Sequence, residues 1–345
     1  MDKITTSRLK PKNKKKKYKF ITSILLICFL VIGSYIGFVA VKATNTFKNA
    51  EQLLGRGNKS DLRSEAVKPL THNVSVLIMG VDESEKRSKS YGEAIRTDAL
   101  LLATFNKDDK TVKLLSIPRD TYAYIPVEEK KDKITHAHAF GQVKYGKDGG
   151  PQATIEAVES LLNVPVDYFV KFNFNSFIKI IDDLGGIEVD VPIDFSEQNS
   201  KDEKDAIKLT KGVQILNGEE ALALARTRHI DSDMMRGQRQ QLVIEAIVKK
   251  AASVGSIGKV TKILEGIDGQ FKTNLPMSDI LSFYKYGINS TIEKLQLEGE
   301  DSYLYPNGPE NQRVYYYVPD EENLSMISKE LSDHLGLDET SSANN

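Results

Sequence analysis

Residues 217–241 read NGEEALALARTRHIDSDMMRGQRQQ, which places Arg226, Arg228, Arg236 and Arg239 within one short span. Guanidinium groups present planar forks of N–H donors that match phosphate and carboxylate oxygens, and the free N–H groups at a helix N-terminus favour the same anions. Taken singly, each arginine reads as a surface ion pair with Glu219, Glu220, Asp231 or Asp233. Taken together, with Gln240 beside them, they point to a site for a phosphate-bearing anion.

The elements that must carry these side chains are legible nearby. Asn217 followed three residues later by Glu220 is a capping-box pattern, so a helix is expected from Gly218 through ALALAR, with Arg226 and Arg228 at its end. Asp233 is placed to cap a second helix reaching about Ser253. On that helix Arg236, Gln240, Val243 and Ile247 share one stripe, polar first and then apolar. Val243 and Ile247 suit either the wall of an apolar pocket or a plain core.

A second group of charges is expected upstream. Residues 74–79 (VSVLIM) form a buried-strand run that ends at Asp82. A charged loop over 83–95 leads to Arg96, Thr97 and Asp98. Residues 99–105 and 111–117 are strand-like and joined by the turn-forming 106–110, and folding this hairpin about Asp108 sets residue 98 opposite residue 118. Arg96 and Asp98 then face Arg119 and Asp120, either as cross-strand salt bridges or, with Asp82, as a carboxylate pair for Mg2+ (or Mn2+) beside guanidinium groups for phosphate. The segment KITHAHAFG over 133–141 holds Lys133, His136 and His138. Histidines two apart suit a strand or loop and lack the spacing of a helical zinc pair, so packing or substrate hydrogen bonds are expected of them.

Helices over 151–163 and 175–184 alternate with strands over 166–172 and 187–191, a solvated loop follows over 196–211, and the arginine-rich helix pair comes next. Beyond it, 275–288 and 289–294 read as helical, 302–318 as a tyrosine-rich hairpin and 320–335 as a closing helix. The tyrosines fit edge-strand packing, with sugar stacking as the other use. The fold class expected is α/β: a layered α-β-α domain with a mixed central sheet.

With 345 residues and 40% hydrophobic content the chain can bury a sizeable core. The formal charge of −1 conceals an asymmetry, because nine basic residues against Asp2 make the first 19 positions +8 and leave −9 for the rest. Residues 20–41 contain no charged side chain, and 22 residues of helix reach about 33 Å, a membrane span. The lysine run then stays in the cytoplasm and the remainder lies outside, behind a retained signal-anchor. Residues 42–72 are expected as a stalk. Cys28, the only cysteine, falls within the span, so the outer domain cannot rely on disulfides.

With these motifs in view the chain resembles the LytR-CpsA-Psr family of Gram-positive envelope enzymes, across a tail at 1–19, a transmembrane helix at 20–41, a stalk at 42–72, a catalytic domain at 73–336 and a polar tail at 337–345. The resemblance rests on Gly80-Val81-Asp82, Arg96-Thr97-Asp98, Ser116-Ile117-Pro118-Arg119-Asp120, Lys133-Ile134, Leu184-Gly185-Gly186, Leu216-Asn217-Gly218, Arg226-Thr227-Arg228, and Arg236 with Arg239-Gln240-Gln241. One departure is Thr135, His136 and His138, where the family usually carries Asn and Tyr.

The resemblance implies a single-pass membrane phosphotransferase, its N-terminus cytoplasmic and its catalytic domain extracellular. It would move an anionic glycopolymer, wall teichoic acid first among them, from undecaprenyl pyrophosphate to peptidoglycan. Asp82 and Asp98 would hold Mg2+; Arg96, Arg119, Lys133, Arg226, Arg228, Arg236 and Gln240 would hold the pyrophosphate; Asp233 would orient the arginines. Two other readings stand beside it: a membrane-bound transcriptional attenuator and a non-catalytic wall-polymer-binding protein. Nucleic acid is not an expected partner, since the large domain is acidic and outside and the cytoplasmic tail is too short to fold into a DNA-reading module.

Overall fold

The computed structural model describes residues 50–83, 95–228, 230, 232–253, 271–276, 290–306 and 312–337, with the single positions 263, 266, 279 and 283. The tail at 1–19, the apolar span at 20–41, the inner part of the expected stalk, most of the 83–95 loop, His229, Asp231, most of the helix expected over 275–288 and the polar tail from 338 lie outside the described residues.

In chain order the elements are β1 (Val74–Val81), β2 (Thr97–Asn106), β3 (Thr111–Ser116), β4 (Tyr122–Ile125), β5 (Lys130–Lys133), α1 (His136–Tyr145), α2 (Gly150–Leu162), β6 (Tyr168–Asn173), α3 (Phe174–Asp183) and β7 (Ile187–Val191). They continue with β8 (Phe195–Glu197), β9 (Ile207–Leu209), β10 (Gly212–Leu216), α4 (Gly218–Arg226), α5 (Asp233–Ser253), β11 (Phe271–Thr273), β12 (Thr291–Gln296), β13 (Gly299–Leu304), β14 (Val314–Pro319) and α6 (Glu321–Leu335).

The central sheet has the order β11-β6-β1-β2-β3-β12. It is mixed, as expected: β1 is antiparallel to β2 and parallel to β6, while β12 runs parallel to β3. Continuous apolar runs such as VSVLIMGV and ALLLATF arise because both faces are covered. Along β2, Leu100 and Leu102 pack with Leu77, Met79 and Leu115 into a core shared with α2 and α6. Leu101 and Ala103 point the other way, to a cluster with Val112, Leu114 and Ile244 of α5. A further core joins α3, α4 and α5 to β7 and β10. Helices therefore lie against both faces of the sheet.

Four expectations are corrected. The stretch 289–294, read as helical, is instead largely strand β12, paired with β3 from Thr291↔Thr111 to Gln296↔Ser116. Its short run has no decisive period of its own, and the open edge of β3 decides the outcome. The loop expected over 196–211 contains the β8–β9 ribbon. KITHAHAFG is not extended beyond Lys133: α1 starts at His136, and its Ala137, His138 and Ala139 are buried. Residues 50–72, expected as the outer stalk, pack on the domain, with Ala50 and Leu54 buried and Arg63 paired with Asp167 at 2.8 Å.

The start of α4 is docked tightly on α3. Gly218 N–H donates to Asp182 Oδ1 at 2.8 Å, and a Cβ at position 218 would collide with the backbone carbonyl of Ile178. Gly218→Ala is expected to destabilise the domain by about 1–3 kcal/mol through overpacking. Urea unfolding measures it, and an unchanged midpoint would show that the two helices are free to part.

Candidate active site

The site begins with an irregularity between two strands. β1 pairs regularly with β2 up to Gly80↔Ala99 and then shifts to Val81↔Thr97, so Asp98 is the extra residue of a β-bulge. A bulged residue leaves the ladder and its side chain can be re-aimed. Asp98 accepts a hydrogen bond from Arg119 Nη1 at 2.5 Å. The β2–β3 register, Leu101↔Ser116 to Asn106↔Thr111, is one residue off the expected folding about Asp108 and, continued outward, sets 98 opposite 119 rather than 118.

Backbone and hydroxyl bonds fix the turn that carries Arg119. Thr121 Oγ1 donates to Pro118 O at 2.6 Å, Thr135 N–H to Arg119 O at 3.0 Å, and Thr135 Oγ1 to Thr97 O at 2.6 Å. Asp120 sits at the centre, with Lys133 Nζ at 2.7 Å, Arg119 Nε at 3.6 Å and Arg228 Nη2 at 3.9 Å. Burial alone would raise its pKa. The Lys133 hydrogen bond and the charges of Arg119, Lys133 and Arg228 outweigh burial and hold it below the ordinary carboxylate value.

The helix pair supplies the remaining cations. Asn217 and Glu220 form the capping box read from sequence. At the other end of α4, Arg226 Nη2 donates to Gln198 O at 2.5 Å and to Asn199 O at 2.8 Å. Arg239 is 1% exposed and donates to Leu224 O and Thr227 O, while Gln240 donates to Ala225 O at 3.2 Å. These two side chains satisfy the carbonyls that a helix C-terminus leaves open. Gln241 reaches the sheet through Leu114 O and Leu295 O, both at 2.8 Å.

Asp233 does not cap α5. Ser232 Oγ takes that place by accepting Met235 N–H at 3.3 Å, and Asp233 is already helical. Its carboxylate accepts from Arg236 Nη2 at 2.9 Å and lies 3.5 Å from Arg228 Nη2. One carboxylate thus contacts two of the arginines.

Cations crowd one another here. Burial lowers the pKa of Arg236 to about 10, with Asp233 opposing the fall and Arg228 and Arg119 adding to it. Arg228 is lowered as well, by burial and then by Arg119. Both remain charged at neutral pH, and the shifts express the cost of holding them. The Nε atoms of Arg119 and Arg236 are buried and donate no hydrogen bond. An anion would relieve both conditions.

These groups open on a cavity of about 330 Å³ bordered by Asp98, Arg119, Arg226, Arg228, Arg236 and Gln240. Phe172, Phe174, Phe177, Leu222, Val243 and Ile244 also border it. Along α5 the wall changes from Arg236 and Gln240 to Val243 and Ile244, over about 12 Å of helix. Ile247 packs in the α3–α4–α5 core instead.

Not every expected residue reaches the cavity. Lys133 stands behind Asp120, and Asp82 and Arg96 flank the Val81↔Thr97 pair, with Arg96 exposed; none of the three borders it. His136 pairs with Asp132 at 3.0 Å, and His138 is buried with Nδ1 2.9 Å from Ile95 O. Burial, followed by the charge of Lys171, brings His138 down to about 4, so it is neutral at physiological pH. Among the described residues no group of three or more His, Cys, Asp or Glu is placed to hold a metal ion. The phenylalanines of the wall and the central part of Asp120 were not singled out from the sequence; for Asp120 the signal was its place beside Arg119, opposite Asp98.

Residues 37–333 match the sequence profile of the LytR_cpsA_psr family. The polyisoprenyl-teichoic acid–peptidoglycan teichoic acid transferase TagT of Bacillus subtilis strain 168 is 38% identical over 335 residues, spanning 96% of this chain and 99% of its own. The transferase TagU of Bacillus licheniformis is 40% identical over 332 residues, 94% of this chain and 98% of its own. Among solved structures, TagT bound to LIIa-WTA has a TM-score of 0.67 at 37% identity, over 83% of this chain and 100% of that one. The LytR-CPS2A-psr family protein YwtF (TagT) with bound octaprenyl pyrophosphate lipid has a TM-score of 0.62 at 36% identity, with the same coverage.

The depressed pKa of Asp120 has a signed consequence. Its ion pairs stabilise the fold above the unfolded carboxylate pKa of about 4, and the contribution is lost as pH falls through the lower folded value. Asp120→Asn is expected to be less stable than wild type at pH 7 and to lose less stability below pH 4. Parallel acid titrations of the two proteins, followed by urea unfolding, would contradict this by giving equal slopes.

Proposed function

The chain belongs to the LytR-CpsA-Psr family, and from that premise we propose that it is a phosphotransferase that moves an anionic glycopolymer from a polyprenyl pyrophosphate carrier onto peptidoglycan. Wall teichoic acid is the polymer and undecaprenyl pyrophosphate the carrier favoured by the names of the relatives and by the bound octaprenyl pyrophosphate of one of them. The observation that carries the reading is one cavity with two chemistries, guanidinium groups at one end and phenylalanine and aliphatic side chains at the other. A polyprenyl pyrophosphate has the same two parts in the same order.

The step follows from the charges. A hydroxyl oxygen of the acceptor glycan forms a bond to the polymer-side phosphorus, and the bridging P–O bond breaks. Polyprenyl phosphate leaves with the electron pair, and the hydroxyl proton passes to a base, for which a site carboxylate is the candidate. Negative charge grows on the leaving phosphate, so preorganised cations are worth more in the transition state than in the ground state. Arg119, Arg228 and Arg236 are the groups positioned for it, with Gln240 beside them; Asp233 holds two of the arginines. Arg226 ties the 198–199 carbonyls to the rim, and Lys133 and Arg96 act from outside the cavity wall.

For a divalent cation the donor set fits in kind. Asp98 borders the cavity from its bulge, Asp82 follows the neighbouring strand end, and Asp120 already has its cations. Asp82 and Asp98 would hold Mg2+, or Mn2+, with its remaining positions for water and phosphate oxygen, and the ion would supply further charge neutralisation there. The basic tail and apolar span support a type II topology, anchored in the membrane with the catalytic domain outside.

The test is to incubate the full chain with a lipid-pyrophosphate-linked teichoic acid precursor and peptidoglycan oligomers, and to look for the joined product. Charge-assisted contacts of about 1.5–3 kcal/mol imply that Arg119→Ala and Arg226→Ala each lower turnover at least about tenfold. Near-normal turnover in both would remove the site. Product formation is expected to stop with a chelator and in Asp98→Ala; turnover that survives chelation would dismiss the metal and leave the transferase.

A further inference from the structure

The β13–β14 hairpin is anchored to the site. Tyr317 N–H donates to Asp120 O at 2.9 Å, and Thr121 bridges to Tyr317. From that anchor the strands run outward, with Tyr303 opposite Tyr315. Strand alternation puts Tyr305 and Arg313 on the same face as that pair, about 7 Å further along. Tyr315 is the inner end of the stripe: Lys133 Nζ, which holds Asp120, lies 5.3 Å from its ring, and its hydroxyl donates to Asp301 at 2.8 Å.

The outer rings are built differently from the other tyrosines of this hairpin. Tyr316 and Tyr317 are buried, at 1% and 4% exposure, and serve as core. Tyr303 and Tyr305 are 56% and 46% exposed. The guanidinium of Arg313 lies 5.6 Å and 5.8 Å from their ring centroids and donates to Tyr303 O at 3.2 Å, while Tyr303 meets Tyr315 edge to face at 5.7 Å. The rings are thus braced by neighbours yet keep much of their area open. Cross-strand pairing alone accounts for Tyr303 with Tyr315, but not for holding a second half-exposed ring beside an arginine.

We propose that Tyr303, Tyr305 and Arg313 form the docking platform for the acceptor glycan strand. The inference rests on the transferase reading above. In an in-line displacement the acceptor approaches opposite the leaving polyprenyl phosphate, whose lipid occupies the apolar end of the cavity. It must come from the side where Asp120, Lys133 and Arg228 cluster, and the hairpin starts there. Pyranose rings present apolar C–H faces that pack on a tyrosine ring, while their hydroxyl and acetamido groups take hydrogen bonds from phenols and guanidinium. The anionic donor polymer suits this surface less well, because Glu300 and Asp301 lie on the same hairpin and offset the charge of Arg313.

The test uses the full chain in detergent and three variants: Tyr303→Ala/Tyr305→Ala, Arg313→Ala, and Tyr303→Phe/Tyr305→Phe as the ring-retaining control. Two measurements are made: transfer to soluble N-acetylglucosamine–N-acetylmuramic acid oligomers at varied acceptor and donor concentrations, and calorimetric binding of the same oligomers without donor. The double alanine variant is expected to raise the acceptor KM at least about fivefold and weaken oligomer binding equally, with kcat at saturating acceptor and the donor KM unchanged. The phenylalanine variant should restore both. Unchanged acceptor KM and binding would overturn the platform, as would a rise in donor KM alone, which would assign the stripe to the donor polymer. Oligomer binding by wild type that the alanine variant loses, with no transfer by either protein, would refute the transferase reading and leave the platform standing. No binding and no transfer by wild type would overturn both.

Discussion

The structure depends on holding several cations close together against their own repulsion. Arg236 is 4% exposed and faces Arg228 and Arg119, and among the described residues Asp233 is the carboxylate paired with it. A buried charge with incomplete compensation costs several kcal/mol, and proteins keep such arrangements where a ligand completes them. Asp120 and Asp98 reduce the repulsion without cancelling it, because each is shared with a cation on the strand side. An anion placed among these arginines would lower that cost.

Such a cluster can persist only on a stiff frame, and much of the polar sequence around it supplies that frame. Arg239, among the largest fully buried side chains of the described residues, does not border the cavity. It closes the end of α4, so that Arg226 and Arg228 leave the helix in fixed directions. Gln241 ties α5 to both β3 and β12. The arginine-rich span thus divides its work: Arg228 and Arg236 border the cavity, Arg239 and Gln241 bond backbone carbonyls, and Arg226 and Gln240 do both. Four arginines in 25 residues would repel one another freely without this division.

Local signals were legible and non-local ones were not. The capping box at Asn217 and Glu220, the β2–β3 hairpin and the closing helix after Asp320 each depend on residues a few positions apart, and all are present, the hairpin with its register shifted by one residue. Strand β12 depends on an edge contributed by β3, some 180 residues earlier in the chain. The bulge at Asp98 depends on a slip between β1 and β2 that neither strand encodes alone. Ser232 and Asp233 are equally good caps by type; the pull of Arg228 and Arg236 on the carboxylate decides between them. The arginine cluster was legible by its density, whereas the apolar half of the cavity required tertiary packing, since nothing local marks Phe172, Phe174 and Phe177.

The bulge links the two levels. β2 must keep Leu100 and Leu102 towards one core and Leu101 and Ala103 towards the other, and its strand phase is set by that demand. Because side chains alternate strictly, the same phase would also dictate where position 98 points. One extra residue at the end of the ladder frees Asp98 from the alternation while leaving every core position unchanged. The carboxylate can then meet Arg119 across the hairpin end and border the cavity together with it. Packing governs the strand up to Ala99, and electrostatics governs it from Asp98 outward; the site lies where one constraint gives way to the other.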